Sequence, residues 1–169
     1  MLAMDHFAVR MREEAMMRER GEEISYLALA TLPSAPFWAR TQTKTALKAR
    51  SMPSELIDAA ELLVSELVTN AIQISGPVPG QVPASGLDGV ERITITLRLI
   101  PGRILIEVFD NNHNPPVLAD ADSDAESGRG LMLVQALSKE WGHIFHPSGG
   151  KTVYCTIAAP ETALAPGHG

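Results

Sequence analysis

The sequence predicts a single α/β domain, and three observations predict it. From Pro53 to about Ile74, Leu56, Ala59, Ala60, Leu63, Leu67, Ala71 and Ile74 recur at three- and four-residue spacing, the period of a helix with one apolar face. Past Glu91 the period changes to two. Ile93, Ile95, Leu97 and Leu99 alternate with Thr94, Thr96 and Arg98, and Ile104, Ile106 and Val108 resume the pattern after Pro101-Gly102, as a hairpin with one covered face would. With 169 residues, 45% of them hydrophobic, the chain suits one sizeable core, and two full domains would be cramped.

The elements follow in order. Asp5 to Glu23 is charged and methionine-rich, and Phe7, Met11, Ala15 and Met16 give it a weak helical stripe, either a docking helix or a frayed end. Ile24 to Leu32 reads as a first strand, closed by Pro33 and Pro36. Phe37 to Ala49 reads as a helix carrying Arg40, Lys44 and Lys48 outward. Ser51 is the expected cap of the long helix and Pro53 is pre-set for its first turn, while Gly76-Pro77 stops it. Gly76 to Gly89 is a Gly- and Pro-rich loop, read as an inert insertion in preference to a partner contact. The hairpin ends in Phe109-Asp110, and Asn111-Asn112-His113-Asn114-Pro115-Pro116 cannot continue a strand, so Asp110 faces a loop. Val117 to Ser127 is acidic, small and turn-prone. Gly128-Arg129-Gly130-Leu131 then opens a helix whose stripe is Leu133, Val134, Leu137 and Trp141, and Thr152 to Ala158 reads as a closing strand.

Composition excludes several classes of function. A net charge of −6 argues against general nucleic-acid binding, which needs a basic footprint to displace counterions, so any phosphate site must be local. The single cysteine, Cys155, excludes an internal disulfide framework. No signal peptide or long apolar run is present, so the expected location is cytoplasmic, away from any membrane.

Chemistry concentrates in two places. Glu66 and Asn70 stand one helical turn apart on one face of an otherwise apolar helix, and neither group is cheap to bury unpartnered. Three uses suit such a pair: a metal ligand set, a general base beside a metal ligand, or hydrogen bonds that tie the helix to its neighbours. At Gly128-Arg129-Gly130 a helix starts after glycine, so exposed amide groups, close approach and the Arg129 charge make a natural phosphate site. Gly149-Gly150-Lys151-Thr152 is not a P-loop, because the required first glycine falls at Phe145 and a strand follows. His143 and His146 lack any cysteine or carboxylate cluster, and Cys155 alternates with Val153 and Ile157 as a buried apolar position.

The order of these pieces resembles the gyrase, heat-shock chaperone, histidine kinase and MutL (GHKL) ATPase superfamily over about Leu32 to Ala159. Within it, Glu66-Leu-Val-Thr-Asn70-Ala71, Gly128-Arg-Gly-Leu131 with Val134, Trp141-Gly142 and Gly150-Lys-Thr-Val153 look most like the small anti-sigma factor serine/threonine kinases. The resemblance implies an α/β two-layer sandwich, one mixed, mostly antiparallel sheet with helices on one face. It sets the ATPase-like domain at 24–159, with an N-terminal extension at 1–23 and a disordered tail at 160–169. It implies ATP and Mg²⁺ as cofactors: Asn70 would offer its side-chain oxygen to the metal, and Glu66 would act as the catalytic base beside the γ-phosphate. Asp110 would accept the adenine amino group, with Thr152 supporting that contact and Asn112 in the turn beside it. Gly128, Arg129, Gly130 and Leu131 would hold the phosphates, under a lid at Val117 to Ser127 whose carboxylates face outward.

Two positions depart from the family pattern. Ile74 stands where relatives commonly carry histidine, and Asn112 replaces the usual glycine after Asp110, at a turn where asparagine tolerates positive φ better than most residues. The departures leave nucleotide binding expected and put turnover in question. The leading expectation is an ATP- and Mg²⁺-binding regulator that phosphorylates a serine or threonine of an anti-sigma-factor antagonist. A second is a non-catalytic module of the same fold that sequesters a transcription-regulating partner, and a third an ATP hydrolase driving a dimer cycle. Histidine autokinase activity is disfavoured, since no upstream helix pair carries a phosphoacceptor. Expected partners are a sigma factor or its antagonist, with a homodimer as the family-based expectation and no direct contact with nucleic acid.

Overall fold

Alternation in the strands and a three-to-four spacing in the helices meet in one core. The computed structural model describes residues 21–75, 91–116 and 129–161. The N-terminal stripe, the Gly76 to Gly89 loop, the acidic lid, Gly128 and the C-terminal tail therefore lie outside the described residues, apart from the short margins at 21–23 and 160–161. In chain order the elements are β1 (Glu22–Ala30), α1 (Ala35–Ala49), α2 (Ser54–Ser75), β2 (Arg92–Ile100), β3 (Arg103–Asp110), α3 (Arg129–Leu137), β4 (Glu140–Phe145) and β5 (Lys151–Ala158). No described helix is long and apolar enough to cross a membrane.

The strands form one five-stranded sheet in the order β1-β2-β3-β5-β4. Every pair among the described strands is antiparallel, in keeping with the mostly antiparallel sheet expected. Ile93, Ile95, Leu97 and Leu99 of β2, Ile104, Ile106 and Val108 of β3, and Val153, Cys155 and Ile157 of β5 turn toward the helices. There they meet Leu47 of α1, Leu63, Val64, Leu67 and Val68 of α2, and Leu131 and Val134 of α3 in one cluster. Each fully buried side chain of this kind contributes about 1.5–3 kcal/mol, which makes the helix-facing side the main source of stability. The expected two-layer sandwich is what forms.

Three local expectations need correction. Ser51 does not cap α2; it ends α1, with φ of +52°. Ser51 N–H donates to Lys48 O at 2.9 Å and Met52 N–H to Leu47 O at 3.1 Å, the paired bonds of a Schellman motif, and Met52 then packs into the core. Trp141 does not extend the α3 stripe, because the helix stops at Leu137. Ser138 N–H and Oγ both donate to Val134 O, at 3.0 and 2.6 Å, and Lys139 N–H bonds Thr156 O, which draws the chain into the sheet. Trp141 accordingly packs on the core from β4. Arg40, expected to point outward, is half-buried and reaches α2, donating to Ser65 Oγ at 2.8 Å, whereas Lys44 stays exposed as expected and pairs with Glu61 at 3.0 Å on the surface.

The left-handed backbone at Ser51 is a position where glycine is at no disadvantage and a β-branched side chain is strained. Ser51→Val should destabilise the domain by about 1–2 kcal/mol in urea unfolding while Ser51→Gly matches or exceeds the wild type. Equal stability of the two variants would remove the Schellman assignment.

Candidate functional site

The long helix α2 delivers its two polar groups to the rim of the core. Leu67, Val68 and Ala71 are buried, and Glu66 and Asn70 beside them are half-buried. The Glu66 carboxylate lies against Gly130 in the first turn of α3, so closely that a Cβ at position 130 would overlap Oε2. Glycine leaves room there for the acid to reach the start of α3, where the positive end of the helix dipole favours an anion. One turn along α2, Asn70 Oδ1 is buried and accepts no hydrogen bond among the described residues. Leaving such an oxygen unsatisfied costs about 1–3 kcal/mol, so it is a ready acceptor for a cation or polar ligand. No group of three or more His, Cys, Asp or Glu residues among the described ones could hold a metal by itself. The donor set therefore fits a hard cation that keeps waters and takes most of its oxygens from phosphates, as Mg²⁺ does.

Asp110 is the last residue of β3, on the helix-facing side, and Lys151 is its rung partner on β5. Lys151 Nζ donates to Asp110 Oδ1 at 2.8 Å, and both side chains are closed to solvent, at 0% and 1% exposure. Nζ also donates to Asn112 O at 3.3 Å, while Asn112 N–H donates to Asp110 Oδ1 at 2.8 Å. Asn114 N–H then donates to Asn112 Oδ1 at 2.7 Å. Two successive side-chain caps build this turn, so Asn112 needs no positive φ, and Ser51 is the only described non-glycine residue that has one. Gly149 and Gly150 do adopt positive φ, +108° and +79°. A Cβ at Gly150 would strike the Asp110 carbonyl and the Phe109 ring, so glycine is what lets the β4–β5 turn close over the end of β3. Gly149-Gly150-Lys151-Thr152 is thus a hairpin corner, in keeping with its rejection as a P-loop.

Thr152 is not beside Asp110. It points to the other face of the sheet, where its Oγ1 bonds His146 Nε2 at 2.7 Å and helps line a cavity of about 240 Å³ with Thr94, Thr96, Glu107, Phe109 and His146. Lys151 takes the supporting place instead. The sequence carried the signal, since Lys151 shares the parity of Val153, Cys155 and Ile157 and Thr152 does not. The Leu131 side chain is a core group, 1% exposed. Arg129 opens α3, with its side chain outside the described set, as is that of Ile74 in α2. Burial pushes the Cys155 thiol up to about 12, so it is an inert core group.

The structure thus brings Glu66 and Asn70 to the helix-facing side with Gly130, and Asp110 to the same side with Lys151 and Asn112. The family model for a histidine kinase-like ATPase domain matches residues 31–157, three quarters of the chain. The chain belongs to the histidine kinase-like ATPase domain family. Among solved structures this ATPase domain is similar in fold to the crystal structure of the RsbU and RsbW domains of Rv1364c from Mycobacterium tuberculosis, with a TM-score of 0.57 and 20% identity. That likeness covers 80% of this chain and 31% of the other, so the domain spans under a third of that protein's length. No curated protein matches the sequence.

Removing one member of a buried ion pair strands the other charge, whereas replacing both with apolar groups is often neutral. In this ATPase domain Lys151→Met should cost about 3–5 kcal/mol in urea unfolding, and adding Asp110→Leu should recover most of that loss. A double variant no more stable than the single one would contradict the pairing.

Proposed function

We propose that this ATPase domain binds ATP with Mg²⁺ and transfers the γ-phosphoryl group to a serine or threonine hydroxyl of a partner protein. The observation that carries the reading is the packing of Glu66 onto the start of α3 at Gly130, with the unbonded Asn70 oxygen one turn away. Phosphates seated on the α3 amides would lie beside a half-buried acid and within the reach of an amide ligand. Asn70 would hold Mg²⁺, whose charge, when bound, offsets that of the phosphates. Glu66 would accept the proton of the incoming hydroxyl as its oxygen bonds the γ-phosphorus and the bond to the β,γ-bridging oxygen breaks, releasing ADP.

Asp110 would accept a hydrogen bond from the adenine amino group, which guanine cannot supply at that position. A hydrogen bond to a charged group contributes about 1.5–3 kcal/mol. Gly130, Gly128 and Arg129 would cradle the phosphates, with 117–127 as the lid. The partner would be an anti-sigma-factor antagonist or a sigma factor, in keeping with the resemblance to the anti-sigma factor kinases, and the compartment the cytoplasm.

A specific observation favours the second reading, a binding module without turnover. Asp110 is closed to solvent and held by Lys151, and Asn112 stands where glycine is usual, so a purine would have to displace part of this packing to reach the carboxylate.

The readings separate in one set of measurements. The kinase reading expects ATP to bind at least tenfold more tightly than GTP in the presence of Mg²⁺, and Asp110→Asn, checked for folding by circular dichroism, to lose about 10- to 100-fold in ATP affinity. Glu66→Gln should keep ATP binding and lower phosphoryl transfer to the partner by about 10²- to 10⁴-fold. A wild-type protein that holds its partner yet yields no phosphorylated product supports the module instead. Phosphate release without any acceptor protein would point to a hydrolase.

A further inference from the structure

The buried ion pair at the end of β3 has a donor to spare. An ammonium carries three N–H groups and accepts nothing. Two of those on Lys151 are taken, one by Asp110 Oδ1 at 2.8 Å and one by Asn112 O at 3.3 Å. No acceptor among the described residues takes the third. Both occupied acceptors belong to the end of β3 and the turn after it, so the tetrahedral nitrogen turns its remaining N–H away from that turn. The side chain is 0% exposed, which keeps bulk water from the donor, and a buried donor left unmade is costly. The position is set for an acceptor that a ligand brings.

The chemistry of the pair selects that ligand. Asp110 offers an oxygen that accepts and Lys151, beside it, a nitrogen that donates. Adenine carries the complement on neighbouring atoms, the amino N6–H and the ring acceptor N1. We propose that Lys151 gives its third N–H to N1 of adenine, which makes it a specificity-determining residue of the nucleotide site. The inference rests on the proposed reading in which Asp110 accepts the N6 amino group, and it deepens that reading by naming the second contact that identifies the base. Asp110 and Lys151 are closed to solvent in this structure, so the base reaches them by displacing part of the packing over them.

A second contact is needed because a carboxylate alone is a loose reader. Guanine in the pose of adenine would set O6 against the carboxylate and N1–H against the ammonium, two repulsions in place of two hydrogen bonds. Guanine shifted by one atom would satisfy Asp110 with N1–H, and here the ammonium decides, because it then meets the 2-amino group, donor against donor. Turned over, guanine matches both groups but sends its ribose to the side opposite that of adenine. The ordered pair therefore fixes the direction of the ribose as well as the identity of the base, and a nucleotide that enters the other way round carries its phosphates away from where ATP places them.

Titration calorimetry of the wild-type protein with Mg²⁺ and ATP, 1-deaza-ATP or 3-deaza-ATP tests the assignment. The first analogue keeps the amino group and puts C–H where N1 was, while the second keeps the whole edge and is the control. Affinity should fall about 10- to 100-fold for 1-deaza-ATP and less than about threefold for 3-deaza-ATP. ATP and 1-deaza-ATP bound equally well, or an equal loss with both analogues, would overturn the assignment and leave the ATP reading in place, whereas no binding of ATP would end both. Lys151→Met should bind ATP more weakly and no longer distinguish it from 1-deaza-ATP, a change that a purely structural lysine would not produce. Lys151→Met combined with Asp110→Asn, which strands no charge, takes its place if circular dichroism shows the single variant unfolded, with the same loss of preference expected relative to Asp110→Asn alone. A preference for ATP kept in full without the lysine would also overturn it.

Discussion

The period of two in the β3–β5 ladder is the constraint on which the rest depends. Successive side chains on a strand face opposite ways, so a slip of one residue in this pairing would turn one of the two strands over, parting Asp110 from Lys151 and carrying that strand's apolar row off the core. Two features hold the register. The row from Ile104 to Val108 against Val153, Cys155 and Ile157 is buried beneath the helices, and Gly150 fits against the Asp110 carbonyl with no room for a side chain. The same parity that sends Lys151 to the helix-facing side sends Thr152 to the other. A single residue thus decides which polar group stands beside Asp110.

Energetics make that choice informative. Taking a carboxylate and an ammonium out of water costs several kcal/mol for each ion, and their attraction offsets this only where geometry is good and further hydrogen bonds are made. Here they are made: Lys151 also reaches Asn112 O, and Asn112 N–H also reaches Asp110. An apolar pair of similar volume would stabilise the sheet about as well, so stability alone is a weak reason for these residues. What the pair adds is a carboxylate of fixed orientation at the end of a central strand, in surroundings where a hydrogen bond to it is stronger than in water. Glu66 is the opposite case. It is half-buried, and it lies at a helix start where an anion is favoured.

Much of this architecture could be read from the residues. The stripe of α2 and the alternation of the β2–β3 hairpin are long, regular and locally determined, and both elements formed within two residues of the expected bounds. Glu66, Asn70 and Asp110 were legible because a polar residue is conspicuous in an apolar helix or at a strand end. The misses share a different cause. Ser51 was misread because a serine before Pro53 looks like an N-cap, while its left-handed backbone depends on hydrogen bonds back to α1. Trp141 continues the helical period of α3 by coincidence, and the bonds of Ser138 and Lys139 that end the helix need β5 in place. Thr152 matches the motif by residue type, whereas the alternation of Val153, Cys155 and Ile157 places Lys151 beside Asp110. Asn112 was judged by its tolerance of positive φ, although its own side chain and that of Asp110 supply the turn.

The two faces of the sheet then have separate tasks, and their residues are interleaved on the same strands. On β3, Leu105, Glu107 and Phe109 face away from the helices while Ile104, Ile106, Val108 and Asp110 face them; on β5, Tyr154 and Thr152 alternate with Cys155, Val153 and Lys151. The hydrogen bond between Thr152 and His146 and the edge-to-face packing of Phe109 on His146 already brace that end from the outer side. On the proposed reading, in which Asp110 meets a purine edge, the carboxylate gains from such a backing, since orientation is lost first where a strand end is free to fray. The outer face is thus the support from which Asp110 is aimed.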